Sequence, residues 1–449
     1  LIEPFQNSKP GIDFESTSAE EILSVWADPI DLKYLLVINI PHYQNPDGTY
    51  SVDQLWHKDL QIHRYYLSNL RLASPRRLGQ APQTTRVLED TQGMGRLSHV
   101  PMPDPSSVPG SLLTTPQTLL ELWKAVGQAD VVHVGVGGWP YPIGWPAALF
   151  AKIRKKFLLV VVESAPWRLG FQPGASLKQK FLGHVYETMA RWSVNQADMA
   201  LFTQAEYQAS LLRSGRPGLV TNATWIDEEL ILNDAEAAQS WNDKPSSPLR
   251  LLFAGRVTNA KGIGSLIEAA RTLDRSGVHA QIDIIGEGDR LDDCQALSAE
   301  LTGPTNVRIL APVPYGAPFF ELVRAYHAVL VPSLADEQPR IIYDAYSQAV
   351  PVIASDTAGI RDCATDGETA ILVPSGDAGA LATAIQRAAS EIDQLRKMGG
   401  NALEIARKKT HAEMHRTRHA LLKELLGTIH PDTRKTLEGE ARLPSKATT

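Results

Sequence analysis

The chain reads as a series of short, near-continuous apolar runs separated by amphipathic stretches. The first clear run is Tyr34-Leu-Leu-Val-Ile-Asn-Ile40, which ends at Pro41. Runs of this kind predict strands buried on both faces, the habit of parallel sheets. A loop rich in turn formers, Asn45-Pro-Asp-Gly48, follows, and residues 53–70 then space their apolar positions as a helix. Residues 75–115 read mostly as loop. Beyond them the alternation is regular. Helices are predicted over Leu119–Val126, Trp145–Ile153, Leu177–Gln196 and Ala205–Arg213. Strands are predicted at Asp130–Val134, Phe157–Val162, Met199–Phe202 and Gly218–Val220.

The polar stretch 233–248, with Pro245, Ser246, Ser247 and Pro248 at its end, reads as a linker. A second series begins directly after it. Its predicted strands are Leu249–Ala254, Ala280–Ile285, Val307–Leu310, Ala328–Val331, Val350–Ala354 and Ala370–Val373. Its helices are Ile263–Leu273, Arg290–Leu301, Ala317–Tyr326, Pro339–Gln348 and Ala378–Ser390. Strands alternating with helices of these lengths imply βαβ units, and hence an α/β protein with two doubly wound, Rossmann-like lobes. The expected organisation is a first lobe over 1–232, a linker over 233–248 and a second lobe over 249–405. A C-terminal helix over 406–428 returns to the first lobe, and a polar tail occupies 429–449. Two lobes also suit a length of 449 residues, too long for one ordinary core.

Composition narrows the chemistry. A net charge of −6 speaks against a dedicated nucleic-acid binder, which needs a basic excess. Two cysteines, Cys294 and Cys363, make neither a disulfide framework nor a four-cysteine zinc site and suit a reducing compartment. No apolar run approaches the ~20 residues of a bilayer span, and no basic-then-apolar leader opens the sequence. The expected location is cytoplasmic, with peripheral contact at an inner membrane face. The basic stretch Lys152, Arg154, Lys155, Lys156 reads as a solvated helix end or a contact with anionic lipid.

The segment Phe253-Ala-Gly-Arg-Val-Thr-Asn-Ala-Lys-Gly-Ile263 follows a buried strand and opens a helix. Gly255 permits a sharp turn. Arg256 and Lys261 flank it, where a forked guanidinium and a point-charge ammonium can clamp a diphosphate. Two solvated basic residues would read the same on spacing alone. A P-loop is absent, so nucleoside triphosphate hydrolysis loses support. In Val331-Pro-Ser-Leu-Ala-Asp-Glu-Gln-Pro-Arg-Ile-Ile-Tyr-Asp-Ala345, an acidic loop precedes a helix whose first turn falls near Pro339. Asp336 and Asp344 straddle that helix start. Carboxylates there suit hydroxyl recognition, Asp336 on a hexose and Asp344 on a ribose; taken alone, a helix cap at Asp336 or Glu337 and a solvated helix residue at Asp344 account for them more readily.

In order, the chain carries Gly-Arg-x4-Lys-Gly, Gly-Glu-Gly-Asp, Pro-Ser-x2-Asp-x7-Asp-Ala, Pro-Val-Ile-Ala-Ser-x3-Gly-Ile and Asp-Gly-Glu-x-Ala-Ile-Leu-Val-Pro. This set resembles the donor lobe of retaining glycosyltransferases of family 4, which have the GT-B fold: two Rossmann-like lobes facing a cleft. The likeness is dense from about 250 to 390. It implies a nucleotide diphosphate sugar donor, a hydroxyl acceptor that is a glycan, lipid or small molecule, no nucleic-acid partner, no cofactor and no metal. Arg256 and Lys261 would hold the diphosphate, with Gly255, Gly286 and Glu287 beside the nucleotide and Val313 facing the base. Glu337, Gln338, Pro339, Arg340 and Ile341 would complete the donor wall. The family's acid pair is Glu-x7-Glu; here Asp336 and Asp344 are each one methylene shorter, and Glu337 is a rival for the first position.

The first lobe should present the acceptor. Where the family commonly has a Gly-rich loop after the first strand, only Gly48 is available. Glu163 ends a strand where many relatives carry a histidine, and could take a proton or steady positive charge on the sugar. His57, Gly138, Trp139 and Trp167 are the remaining acceptor-side candidates. His411 and His415 lie four apart but lack a third ligand and the His-Glu-x-x-His pattern. The expected reaction is retaining, metal-independent hexosyl transfer. A sugar-nucleotide epimerase and a catalytically silent sugar-nucleotide binder are the alternatives.

Overall fold

The computed structural model describes residues 29–78, 81–82, 84–88, 94–104, 108–138, 141–171, 174–335 and 337–429. The polar tail expected beyond the last helix lies, from residue 430 on, outside the described residues.

The second lobe is a six-stranded parallel sheet. In space the strands run Asn306–Leu310, Ala280–Ile285, Leu249–Ala254, Ala328–Val331, Val352–Ser355, Ala370–Val373. Counted along the chain within the lobe, the first strand is central and the order reverses between it and the fourth. Both faces are covered. Helices Ile263–Arg275 and Ala378–Ser390 close one face, with Leu266, Ile267, Ala270, Leu381 and Ile385 in its core. Helices Ala317–Arg324, Ile341–Ser347 and Ile392–Ala406 close the other, around Phe320, Ile342, Tyr346 and Ala402.

The first lobe repeats the plan. Strand Ile30–Val37 pairs in parallel with Leu67–Leu78 on one side and Val131–Gly135 on the other. The sheet continues through Phe157–Val162, Met199–Phe202 and Gly218–Val220. All six residues of Phe157–Val162 are buried, which is why that run is wholly apolar. Arg96–Met102 extends the sheet beyond Leu67–Leu78. A hairpin, His42–Gln44 with Tyr50–Asp53, adds to its far end. Thus 75–115, expected as loop, holds two whole strands, Thr85–Val87 and Arg96–Met102, the end of Leu67–Leu78 and the start of the helix Val108–Gly127. Gly48 sits in the hairpin turn at φ 86°, where it serves the turn itself.

The stretch that reads as a linker contains the helix Asp234–Asn242. Its Asn233–Glu236 capping box starts it, and Trp241 anchors it by donating from Nε1 to the Ala349 carbonyl at 2.9 Å. The chain crosses back near 406–411, and helix His411–Ile429 then lies on the first lobe, with Leu421 and Leu422 in that lobe's core. The two crossings are tied together. His411 N–H donates to the Ile226 carbonyl at 2.9 Å, and Arg416 Nη2 to Glu228 Oε1 at 2.6 Å.

Candidate active site

Open parallel sheets bind ligands outside the carboxyl ends of their strands, where the strand order reverses. Both lobes have a cavity at that point. In the second lobe it lies over the ends of Leu249–Ala254 and Ala328–Val331. Phe253, Gly255, Arg256 and Lys261 form one wall, and Leu330, Ser333 and Glu337–Ile341 form another. Thr221–Trp225 and Glu163 face them from the first-lobe side, enclosing about 440 Å³. In the first lobe a cavity of about 500 Å³ opens between Leu36–Pro41 and Gly135–Gly138. The two cavities share Ile40, Trp56, Asp59, Val161, Glu163, Ser164 and Arg418, so they meet at one junction.

Local sequence explains the cationic wall. Lys261 closes a short turn, Asn259–Lys261, that Gly262 ends at φ 76°. A Cβ on Gly262 would lie 1.7 Å from the Pro332 carbonyl, so this strand-to-helix turn needs glycine twice over. Lys261 is in an ion pair with Glu337, both side chains being about four-fifths buried. Arg256 stands exposed on the crevice wall, one residue after Gly255. Gln338 is buried there; its Oε1 accepts from Ala223 N–H across the lobes at 3.1 Å, and its Nε2 is an orphaned donor. Arg340 lies over the Trp225 ring at 5.2 Å.

Glu163 ends its strand at the junction. Its side chain opens into the cleft, yet the surrounding protein pushes its carboxyl above the usual range, against the opposing pull of Arg418 and Arg340. Below it, helix Gln54–Tyr66 presents Trp56, Asp59 and His63 to the cavities. The C-terminal helix reaches in from the other side. His415 and His411 place their Nε2 atoms 3.1 and 3.4 Å from Asp59 Oδ1, and 3.2 Å from each other. His63 Nδ1 lies 3.1 Å from Asp59 Oδ2, and Arg418 Nη1 3.9 Å from Oδ1. Burial works against ionisation of Asp59, but the surrounding donors overcome it and hold the carboxyl well below the usual range. Burial also keeps His411 and His415 below theirs, so both are neutral near pH 7. The fold therefore supplies the third potential ligand, Asp59, that the sequence lacked for the histidine pair. As neutral rings the two histidines meet the carboxylate through Nε2–H, and Tyr66 donates to His415 Nδ1 at 3.1 Å.

The expected residues separate into three groups. Arg256, Lys261, Gly255, Glu337, Gln338, Pro339, Arg340, Ile341 and Glu163 line the crevice, and Gly138 lines the first-lobe cavity. Asp336 and Trp139 lie outside the described residues. The remainder stand off the walls. Gly286 and Glu287 form the next loop out. Val257 N–H donates to the Glu287 carbonyl at 2.9 Å, and a Cβ on Gly286 would lie 1.8 Å from the Gly255 carbonyl. Val313 is half-buried beyond the outermost strand. Asp344 is buried and accepts from the Tyr315 hydroxyl at 2.8 Å. On the acceptor side, Trp167 is a core residue whose Nε1 donates to Glu187 at 2.8 Å. His57 is displaced by helix phase: 56, 59 and 63 share the cavity face, and 57 is turned about 100° from 56. Arg418, Met414, Trp56 and Asn222–Trp225 are wall residues that sequence reasoning passed over. The signal for Arg418 was the stripe 411, 415, 418, at i, i+4 and i+7 of one helix.

Residues 248–391 match the family model described as Glycosyl transferases group 1. Over 177 residues the chain is 30% identical to D-inositol 3-phosphate glycosyltransferase of Gordonia bronchialis, covering 38% of this chain and 37% of that protein. The chain thus spans well under half of that relative's length in the match. Among solved structures, sucrose-phosphate synthase from Thermosynechococcus elongatus superposes with a TM-score of 0.65 at 16% identity, over 89% of this chain and 100% of the other. HepE from Anabaena, solved in complex with UDP-glucose, gives 0.58 at 14% identity, over 88% and 99%. The architecture is the GT-B fold.

Proposed function

We propose that the protein transfers a glycosyl group from a nucleoside diphosphate sugar in the second-lobe crevice to a hydroxyl of an acceptor in the first-lobe cavity. One observation carries this reading. Two cavities, one with a cationic wall at its sheet's switch point, share the junction of Asp59, Glu163 and Arg418. A donor's anomeric carbon and an acceptor hydroxyl can meet there. The likeness to group 1 glycosyl transferases supports the donor class, and UDP-glucose, bound by the fold neighbour HepE, is the first donor to try.

In this reading the bond from the anomeric carbon to the β-phosphate oxygen breaks and a bond to the acceptor oxygen forms on the same face. The acceptor's proton passes to the departing phosphate, giving a glycoside of retained configuration and a nucleoside diphosphate. Arg256 and Lys261 stabilise the negative charge gathering on the diphosphate, the office a metal would otherwise fill. Lys261 must leave Glu337 to do so, which frees the Glu337 carboxylate for the sugar's hydroxyls. Glu163, as a carboxylate, stabilises the sugar's transient positive charge. Closure of the lobes excludes water, which would otherwise consume the donor.

The test is incubation with UDP-, GDP-, ADP- and dTDP-sugars, with and without candidate acceptors, comparing wild type with Lys261→Ala. Acceptor-dependent release of nucleoside diphosphate that Lys261→Ala abolishes supports the proposal. Isomerised donor without acceptor would assign an epimerase instead, and saturable donor binding without turnover a silent binder.

A further inference from the structure

Asp59, His411 and His415 come from distant parts of the chain and meet atom to atom. Asp59 sits on the cavity face of helix Gln54–Tyr66. His411 and His415 open helix His411–Ile429, four apart and so on one face of it. Asp59 Oδ1, His411 Nε2 and His415 Nε2 form a triangle with edges of 3.1, 3.2 and 3.4 Å. All three side chains are buried. Among the described residues no other group of three His, Cys, Asp or Glu side chains converges in this way.

Protons serve this triangle badly. A neutral imidazole carries one N–H, so at most two protons must satisfy three edges. With both on Nε2, two N–H groups face each other across 3.2 Å. With one moved to Nδ1, a bare nitrogen faces a carboxylate oxygen, lone pair against lone pair. A cation within the triangle answers all three edges at once. The dimensions suit one: nitrogen and oxygen ligands of a tetrahedral zinc ion, each about 2.0–2.1 Å from the metal, lie about 3.3 Å from one another.

The surroundings orient the three ligand atoms. His63 Nδ1 lies 3.1 Å from Asp59 Oδ2 and 2.9 Å from the Asp59 carbonyl oxygen, so it holds that side of the carboxylate and leaves Oδ1 to the histidines. The Tyr66 hydroxyl, 3.1 Å from His415 Nδ1, can turn to accept from it when Nε2 is a ligand. His411 Nδ1 is buried and unpartnered, so no neighbour fixes its tautomer, and Trp225 stacks on the ring at 5.0 Å. Arg418 Nη1 stops 3.9 Å from Oδ1, outside hydrogen-bond range. Its charge disfavours a loosely held hard cation. Two imidazoles and one carboxylate oxygen instead favour zinc over magnesium or calcium.

We propose that Asp59 Oδ1, His411 Nε2 and His415 Nε2 bind one Zn²⁺ ion, with water as the fourth ligand, and that the ion fastens the C-terminal helix to the first lobe beside the cleft. Arg418 follows His415 on that helix and lines both cavities, so the ion fixes where the helix presents that guanidinium. The site belongs to the first lobe and the diphosphate clamp to the second, so the metal proposal stands or falls apart from the transfer reading.

The experiment is zinc titration of the untagged full chain, first stripped with a chelator, by calorimetry against a competing chelator, with Mg²⁺ as the control ion. One Zn²⁺ per chain is expected, with a Kd of about 1 μM or tighter and no response to Mg²⁺. Zinc should also raise the melting temperature. His415→Gln and His411→Phe, the latter keeping a ring against Trp225, should each weaken zinc at least about 100-fold, and Tyr66→Phe about tenfold. Co²⁺ in place of zinc should give wild type the visible spectrum of a tetrahedral site. Melting curves in chelator establish which variants fold. The wild-type Co²⁺ spectrum and Tyr66→Phe keep the test decisive where a ligand variant does not. Wild-type zinc binding weaker than about 1 μM would overturn the proposal. So would an equal response to Mg²⁺, or folded ligand variants that bind zinc as wild type does.

Discussion

The Tyr315 hydroxyl donates to Asp344 Oδ1 across 2.8 Å, and the carboxyl so held is buried off the crevice wall. A side chain one methylene longer at the same helical position would project further from the helix. The aspartate instead stays within the lobe, against a tyrosine that stacks on Phe319 at 5.7 Å.

That burial makes the lobe's stability depend on pH. Burial pushes the Asp344 carboxyl up to about 7 from an ordinary 3.8, against the lowering pull of the Tyr315 hydrogen bond, Arg340 and Lys58. Between these values the folded protein holds a proton that the unfolded chain gives up. Stability from this group is therefore full at pH 4, falls as pH rises through 7, and is lost above it, a change on the order of 4 kcal/mol. Asp344→Asn keeps an oxygen for Tyr315 and cannot ionise. Its melting temperature should exceed that of wild type at pH 8, and the gap should close near pH 4. A gap independent of pH would show that Asp344 ionises normally.

Lys261 and Glu337 make opposite predictions from one ion pair. Lys261→Ala removes a cation from the diphosphate clamp and should raise the Kd for a nucleoside diphosphate about 10- to 100-fold, by calorimetry or thermal shift. Glu337→Gln releases Lys261 and should tighten the same ligand a few-fold, while weakening the sugar-bearing donor relative to it. If both substitutions weaken the nucleoside diphosphate equally, Glu337 positions the loop rather than competing for Lys261.

Asp59 joins the first lobe to the C-terminal helix through His411, His415 and Arg418. Asp59→Ala would strand the Arg418 cation, 13% exposed, and two buried rings. The expected cost is about 3 kcal/mol or more. Asp59→Asn, which keeps an acceptor oxygen, should cost less. Protease cleavage just before His411 should quicken in the alanine variant. Equal melting temperatures for wild type and both variants would remove Asp59 from the joint with the C-terminal helix.

Much of this architecture was legible in the chain because parallel strands buried on both faces are written as unbroken apolar runs. Phe157–Val162 and Ala328–Val331 could be read on sight. Leu67–Leu78 could not. It is LSNLRLASPRRL, half polar, and it follows helix Gln54–Tyr66 with no turn residue between them. Its strand form comes from pairing with Ile30–Val37 and Arg96–Met102, a tertiary effect that overrides local preference. At the site, Arg256 and Lys261 were legible because they flank a strand-turn-helix motif. Arg418 was not, because its partner Asp59 belongs to the first lobe's helix Gln54–Tyr66, at the far end of the chain from it. His57 reads as an acceptor-side candidate in the sequence, but helix phase puts Asp59 on the cavity wall instead.

Helix Ile392–Ala406 was hidden for a different reason, and its hidden feature is testable. Gly399 and Gly400 stand side by side within it, a pair that ordinarily argues against a helix interior. Their surroundings differ completely. A Cβ on Gly399 would lie 2.0 Å from the Ala349 carbonyl and 3.2 Å from the Trp241 ring, the same ring that anchors helix Asp234–Asn242. A Cβ on Gly400 would meet nothing within 4 Å. Gly399 thus lets two helices and a turn approach closely, whereas Gly400 contributes only backbone freedom. Gly399→Ala should destabilise by about 1–3 kcal/mol through overpacking. Gly400→Ala should stabilise by roughly 0.5–1 kcal/mol through helix propensity. Thermal or urea unfolding of the two single variants reads the sign directly. If both alanines shift stability in the same direction, the close contact at Ala349 is not what keeps glycine at 399.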